Sequence, residues 1–322
     1  MRLLVTGCAG FIGSNYVRRA LTNSLPGVHS VIGLDSLTYS GSLENLSPIM
    51  DNSKFKFVQG DICDLALVAT LVSEVDAVIN FAAESHVDRS ILNAGEFIRS
   101  NVVGVQVLLD AIKAEGENKR FLQVSTDEVY GSIESGSWDE NSPLLPNSPY
   151  SASKASGELI VRAYNKTHGL DTIVTRCSNN YGPYQWPEKL IPLFITNLIE
   201  GKNVTIYGEG LNIRDWLHVD DHCLGIHLAL TKGRSGETYN IGGGVEMTNL
   251  EITRLILKLM NKNESNITYV EDRKGHDFRY SVNWNKIKND LGYMPKIKFS
   301  DEIVNTISWY QNNPSWWGPL KK

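Results

Sequence analysis

The sequence predicts a doubly wound α/β fold, a parallel sheet covered by helices on both faces, with a smaller and mainly C-terminal second lobe. Three observations predict it. Short β-rich runs alternate with helical patterns over the first two-thirds of the chain, and such alternation means parallel strands joined by helical crossovers. A strand close to the N-terminus runs straight into three glycines spaced by two residues. Of 322 residues, 42% are hydrophobic and 21% charged, which supplies a core for about two domains and excludes a disordered or collagen-like chain.

In chain order, strands are expected at 3–6, 31–34, 55–58, 77–80, 121–124, 172–175 and 238–241. A helix is expected over 96–115, where Phe97, Val102, Val105, Leu109 and Ile112 recur at helical spacing. Another follows a proline-rich loop, over 148–168. After Tyr181-Gly182-Pro183 the alternation loosens, with prolines at 183, 187 and 192. A helix over 188–200 and a short strand over 204–207 open the second lobe. A helix over 220–230 and the strand at 238–241 return to the first sheet, and helices over 250–260, 284–291 and 302–312 complete the lobe. The expected division is 1–184 with 215–242 as one domain, and 185–214 with 243–322 as the other. There is no internal repeat.

Lys plus Arg number 31 against 36 Asp plus Glu, a net charge of −5, which lacks the basic field of a nucleic-acid binder. No apolar run approaches the roughly 20 residues that span a bilayer, and the chain passes from Met1 directly into a strand without a charged-then-apolar leader. A cytoplasmic protein off the membrane is expected. Cysteines at 8, 63, 177 and 223 form no Cys-x-x-Cys pair and read as reduced thiols. His218 and His222 share a helical face without an apparent third ligand, so no metal is expected.

Strand 3–6 enters Gly7-x-x-Gly10-x-x-Gly13 as a helix begins. At that junction the glycines permit a tight turn, close approach of a pyrophosphate and helix-on-strand packing, while the helix N-terminus offers amide donors and positive dipole. This makes the sheet a Rossmann-type, dinucleotide-binding one. Asp35 ends the next strand about 20 residues on, where a carboxylate accepts from ribose hydroxyls and repels a 2′-phosphate, favouring NAD over NADP. Asp61 and Ile62 after the third strand would flank the adenine, and Phe81-Ala82-Ala83 after the fourth puts small residues beside the cofactor.

Tyr150 and Lys154 stand four apart at the start of a helix, on one face. An ammonium near a phenol, with an oxidised nicotinamide, favours phenolate and makes a base at neutral pH. The strand at 121–124 ends in Ser125-Thr126-Asp127-Glu128-Val129-Tyr130-Gly131 at the carboxyl edge of the sheet, where open α/β folds bind ligands. Adjacent carboxylates there can serve as acid and base.

The glycine loop, Asp35 and Tyr150-x-x-x-Lys154 resemble the extended short-chain dehydrogenase/reductase superfamily. Within it, Phe81-Ala-Ala-Glu-Ser-His-Val-Asp-Arg-Ser90, the Ser125–Gly131 stretch, Asn179-Asn-Tyr-Gly-Pro-Tyr-Gln185, Pro187-Glu-Lys-Leu-Ile-Pro192, Arg214-Asp-Trp-Leu-His-Val-Asp-Asp-His222 and Asp272-Arg-Lys-Gly-His-Asp277 closely resemble the dTDP-glucose 4,6-dehydratase family over almost the whole chain. That resemblance implies a homodimer and a cycle in which Tyr150, with Lys154, takes the C4 hydroxyl proton as NAD accepts the C4 hydride. Glu128 then removes the C5 proton, Asp127 protonates the departing C6 hydroxyl, and the hydride returns to C6. Thr126 would hold the C4 oxygen.

It implies cofactor contacts from Gly7, Gly10, Phe11, Ile12, Gly13, Asp35, Ser36, Thr38, Asp61, Ile62, Phe81, Ala82, Ala83, Ser85, Ser100, Tyr150, Lys154 and Asn180. For the nucleotide sugar, dTDP-glucose, it implies Ser85, Thr126, Asn179, Glu188, Lys189, Leu190, Thr205, Tyr207, Arg214, Asn249, Arg273 and His276, with the arginines as diphosphate clamps and Tyr207 as a face for the base. The family usually has Gly where Cys8 stands, and Phe or His where Trp186 stands. The remaining tryptophans, including Trp216, read as packing anchors. Two rivals are a UDP-sugar 4-epimerase, which would not be expected to carry Asp127 and Glu128 together after Thr126, and a non-catalytic dinucleotide sensor, which the intact Tyr150 and Lys154 argue against. Thymidine and uridine differ by one methyl, worth only ~1 to 3 kcal/mol in a pocket. The sequence leaves open whether the product feeds rhamnose or another deoxysugar.

Overall fold

Among the described residues, twelve strands run in chain order: β1 (Arg2–Thr6), β2 (Ser30–Asp35), β3 (Phe55–Gln59), β4 (Ala77–Asn80), β5 (Arg120–Thr126), β6 (Thr172–Cys177), β7 (Asn179–Tyr181), β8 (Val204–Tyr207), β9 (Ile213–His218), β10 (Thr238–Ile241), β11 (Glu246–Thr248) and β12 (Ile267–Val270). The structure is a computed structural model and describes residues 1–22, 24–116, 119–272 and 275–321. The seven expected strands form one sheet in the order β10-β6-β5-β4-β1-β2-β3, every pair parallel. The fold is doubly wound α/β. Its strand order reverses between β1 and β4, which opens a crevice at their carboxyl ends.

Alternation along the strands builds two cores. Leu3, Val5 and Ile79 face one side, under the helices Phe11–Leu21 and Val219–Lys232. Leu4, Val78 and Phe121 face the other, under Leu65–Ser73, Gly104–Glu115 and Pro149–His168. A third core joins Leu190–Ile199, Asn249–Leu259 and Phe299–Asn312 around Tyr181 and Trp216.

Three details differ from expectation. The helix Asn285–Leu291, expected on the second lobe, sends Ile287 and Leu291 into the first core, with Tyr293 just beyond them, because it packs on Val219–Lys232 and β10. Strand β9 spans the expected lobe boundary at 214/215 and joins β7 and β11 in a three-stranded sheet. The helix expected over 96–115 is interrupted by a π turn at Arg99–Val103, a device common at functional sites. Cys8 resolves its own ambiguity, since the side chain is fully buried in the first core and lies beneath Gly33, away from the loop's open face. Among the described residues no helix is long and apolar enough to cross a membrane.

Candidate active site

The glycine loop is held by geometry that only glycine allows. Gly7 has φ +66°, and a Cβ there would lie 2.6 Å from the backbone nitrogen of Ala82; a Cβ on Gly13 would meet the Gly7 carbonyl. Strand β1 is thereby drawn against the end of β4, and the helix Phe11–Leu21 starts directly at the crevice with Gly10 as its N-cap. Two adjoining cavities follow from this junction. One of about 300 Å³ runs from Gly7, Gly10, Phe11, Ile12 and Gly13 to the end of β5. The other, about 80 Å³, continues past Asp35, Ser36, Thr38, Asp61, Ile62, Ala82 and Ser100. Phe81 and Ala83 line both.

Asp35 accepts from the amides of Ala9 and Leu37, each at 2.8 Å, so its carboxylate is fixed beside the smaller cavity; burial raises its pKa. Asp61 is tied to Arg99 at 2.6 Å. The π turn puts Ser100 on the cavity wall and turns Asn101 inward, where its amide bonds both backbone groups of Glu84 and the Ser153 hydroxyl. Asn101 thus joins the loop after β4 to the helix that carries Tyr150 and Lys154, and no local pattern in the sequence announces it.

The larger cavity ends at Thr126, Asp127, Glu128, Tyr150 and Lys154. Thr126 Oγ1 donates to Asp127 Oδ1 at 3.3 Å and accepts from the amide of Glu128 at 3.3 Å. Burial, then the charges of Glu128 and Asp215, raise Asp127 well above the usual carboxylate range. This carboxyl therefore holds a proton where an ordinary one does not. Burial and the Glu128 charge likewise raise Tyr150. Lys154 Nζ donates to the Val124 carbonyl at 2.7 Å, and burial pushes this ammonium down to about 8.

Ser85, Asn179, Asn180, Glu188, Lys189 and Leu190 line the same cavity. Asn180 is oriented by its donation to Ser178 O and by His222 Nδ1, both at 2.9 Å. Burial pushes His222 down to about 3, so it is neutral. Lys189 Nζ donates to Ser85 O at 3.1 Å, and Glu188 Oε2 lies 3.8 Å from both His86 and Arg89.

The other expected substrate residues lie off this cavity. Thr205 and Tyr207 are exposed on β8, and Tyr207 faces His276 with ring centroids 6.4 Å apart. His276 Nδ1 pairs with Asp272 at 2.7 Å. Arg214 is buried, with its guanidinium over the Tyr280 ring at 4.3 Å and hydrogen-bonded to the carbonyls of Ile213, Asp277 and Phe278. Asn249 opens the helix Asn249–Leu259 next to Asn212. Arg273 lies outside the described residues.

The cavity also gathers polar atoms that lack partners although buried: Ser125 Oγ, Asp127 Oδ2, Asn179 Oδ1, Gln185 Oε1, Glu188 Oε1 and Trp216 Nε1. Leaving such atoms unpaired is costly, so this is a site made for a polar ligand. Trp216, opposite Asn179 in the β7–β9 register, is one of its donors as well as a packing anchor. With the cradle at Gly7 and Gly13 and the carboxylate of Asp35, the residues present fit NAD.

A doubly wound sheet with this loop and a Tyr-x-x-x-Lys helix at its carboxyl edge defines the short-chain dehydrogenase/reductase class. The chain belongs to the family described as GDP-mannose 4,6 dehydratase, whose model matches residues 4–306. It is 55% identical to a dTDP-glucose 4,6-dehydratase of Streptomyces niveus over 100% of this chain and 96% of that one. The crystal structure of DesIV, a dTDP-glucose 4,6-dehydratase from Streptomyces venezuelae solved with NAD bound, superposes with TM-score 0.98 at 54% identity over 100% of both chains. A UDP-glucuronic acid 4-epimerase from Bacillus cereus, in complex with UDP-glucuronic acid and NAD, is more distant, at 30% identity and TM-score 0.90 over 97% of this chain and 99% of that one.

Proposed function

We infer that this chain is an NAD-dependent dTDP-glucose 4,6-dehydratase, a hydro-lyase producing dTDP-4-keto-6-deoxyglucose. The observation that carries the inference is the buried Asp127 beside Glu128 and Tyr150 in one cavity, since eliminating water from a β-hydroxy ketone needs one group to take a proton and another to give one. Bound NAD supplies the hydride acceptor for C4 and donor for C6, and in its oxidised form a positive charge that favours the phenolate. Tyr150 Oη takes the O4 proton, with Thr126 holding that oxygen. Glu128 takes the C5 proton, and C5 regains a proton when C6 receives the hydride. Asp127, kept protonated by burial and by its acidic neighbours, gives its proton to O6 as water leaves.

The nucleotide sugar extends over Ser85, Asn179, Glu188, Lys189 and Leu190 in this reading. The base rests near Thr205, Tyr207 and His276, and Arg214, Asn249 and Arg273 serve the diphosphate side. The protein is cytoplasmic, and two copies pair through 96–115 and Pro149–His168, where Ile98, Val103 and Leu159 are exposed; sedimentation at micromolar concentration checks this, and a monomer refutes it.

The decisive experiment uses dTDP-glucose deuterated at C4. The expected product has lost one water and carries deuterium at C6. Unchanged mass with a new stereoisomer indicates an epimerase, and no turnover a non-catalytic protein. Side-by-side turnover of dTDP-glucose, UDP-glucose and GDP-mannose settles the base.

A further inference from the structure

Residues 36–42, on the cofactor-binding sheet, and residues 183–190, leading into the second lobe, meet beside the phosphate loop. Tyr39 and Trp186 pack edge to face, ring centroids 6.2 Å apart and planes at 85°. The Arg89 guanidinium, from the short helix Val87–Leu92, lies 3.9 Å from the Tyr39 ring centroid, and its Nε is 3.8 Å from Glu188 Oε2, so a third segment links the Tyr39 ring to the loop that carries Trp186. Trp186 and Ser40 line the cavity that holds Gly10 and Phe11.

Both loops are held in backbone conformations that side chains disfavour. Leu37 has φ 54° and Tyr184 φ 67°, two of the three non-glycine residues in the left-handed region among the described residues. Such geometry persists only where surrounding contacts impose it. Here the Tyr184 ring packs against Trp309 and Trp316, at 4.6 and 5.6 Å, and under Arg18 at 4.2 Å, while the amide of Leu37 is anchored by Asp35. The first loop is thus braced from its own sheet and the second from both lobes, with Tyr39 and Trp186 meeting between them.

We propose that Tyr39 and Trp186 form a strap closed over the phosphate loop, which sets how long NAD stays in the protein. The proposal rests on the cofactor reading and extends it to two residues outside the chemistry. Its physical reason is that the net reaction consumes no NAD, so a cofactor lost between the two hydride transfers leaves an unfinished sugar; a contact across the groove slows that loss without touching a reacting atom.

The test is exchange of bound radiolabelled NAD against an excess of unlabelled NAD, followed in the purified full chain. Trp186→Ala and Tyr39→Leu are each expected to speed release about tenfold, equivalent to ~1.4 kcal/mol. The double variant should be no more than about twofold faster than either, because one contact is lost once. Trp186→Phe, which keeps a ring, should stay near wild type. Turnover in the variants should become dependent on added NAD after dilution. Release from Trp186→Leu and Tyr39→Leu at the wild-type rate, with unchanged circular dichroism, overturns the strap, and these variants serve if Trp186→Ala does not fold. Wild-type protein that neither carries nor binds NAD overturns the cofactor reading and the strap with it.

Discussion

The cofactor end of this molecule and the end proposed for the nucleotide are assembled by different means. At the cofactor end, the ends of β1, β2 and β4 deliver the glycine loop, Asp35 and Phe81 to one crevice, and the parallel register sets their relative heights. At the proposed nucleotide end, Thr205 and Tyr207 share β8 while Arg214, Asn249 and His276 come from three other segments, and none of the five lines the central cavity. Tyr207 stands on a two-stranded sheet and is 41% exposed. The first end is closed by backbone, and the second is made by side chains. A substitution at the first should remove the cofactor or a chemical step, whereas one at the second should only weaken binding.

The largest effect is expected at Gly13. A Cβ there would lie 2.2 Å from the Gly7 carbonyl oxygen, and neither atom belongs to a flexible side chain. Gly13→Ala should yield protein without bound NAD and without turnover, measured by ultraviolet absorbance of cofactor released on denaturation. Retained NAD would break the claim that backbone closes this end.

Next come the proton-transfer groups, each typically worth ~10²- to 10⁴-fold. Tyr150→Phe should suppress C4 oxidation and all that follows. Asp127→Asn and Glu128→Gln should permit oxidation but slow elimination, so that absorbance of reduced cofactor at 340 nm accumulates with a 4-keto-hexose. Loss of that absorbance in both would show that the two carboxylates serve oxidation instead.

At the proposed nucleotide end, Tyr207→Ala should raise KM about tenfold with kcat nearly unchanged, since stacking on a base is worth ~1 to 3 kcal/mol and is made equally in ground and transition states. A fall in kcat as large as that of Asp127→Asn would erase the distinction between the ends.

The smallest effect concerns stability. Asp127 has a raised pKa when folded, so between the ordinary carboxylate value of ~3.9 and that raised value the folded protein holds a proton the unfolded chain has lost. Stability therefore falls as pH rises through this window. Asn cannot ionise, so Asp127→Asn should melt above wild type at pH 8, by ~2 °C or more, with the difference vanishing below pH ~4. Equal melting at both pH values would mean that the carboxyl is not held protonated.

Legibility in the sequence followed the same division. All seven strands of the main sheet were readable because buried parallel strands are short β-branched runs between turn signals, and the cofactor residues lie at their ends. The strands β7, β9 and β11 carry no such pattern: β11 spans only Glu246–Thr248 and is half-exposed, and it exists because β9 offers it an antiparallel partner. Trp216 read as packing because nothing in a lone tryptophan distinguishes a satisfied indole nitrogen from one left for a ligand. The helix Asn285–Leu291 read as second-lobe because sequence proximity to that lobe is no guide to the core that receives Ile287.

What the sequence determined alone is local: the strand-to-glycine-to-helix junction, the Tyr150–Lys154 spacing and the adjacent Thr126, Asp127 and Glu128 depend on covalent neighbours and on sterics within a few residues. The protonation of those groups was decided only by the tertiary structure. Asp127 is raised partly by Asp215, from β9 and far along the chain, and Lys154 falls to about 8 because the folded protein buries it, with its Nζ donating to the Val124 carbonyl. Desolvation and Coulomb interactions depend on which segments come together in space, and that information is in no short stretch of sequence.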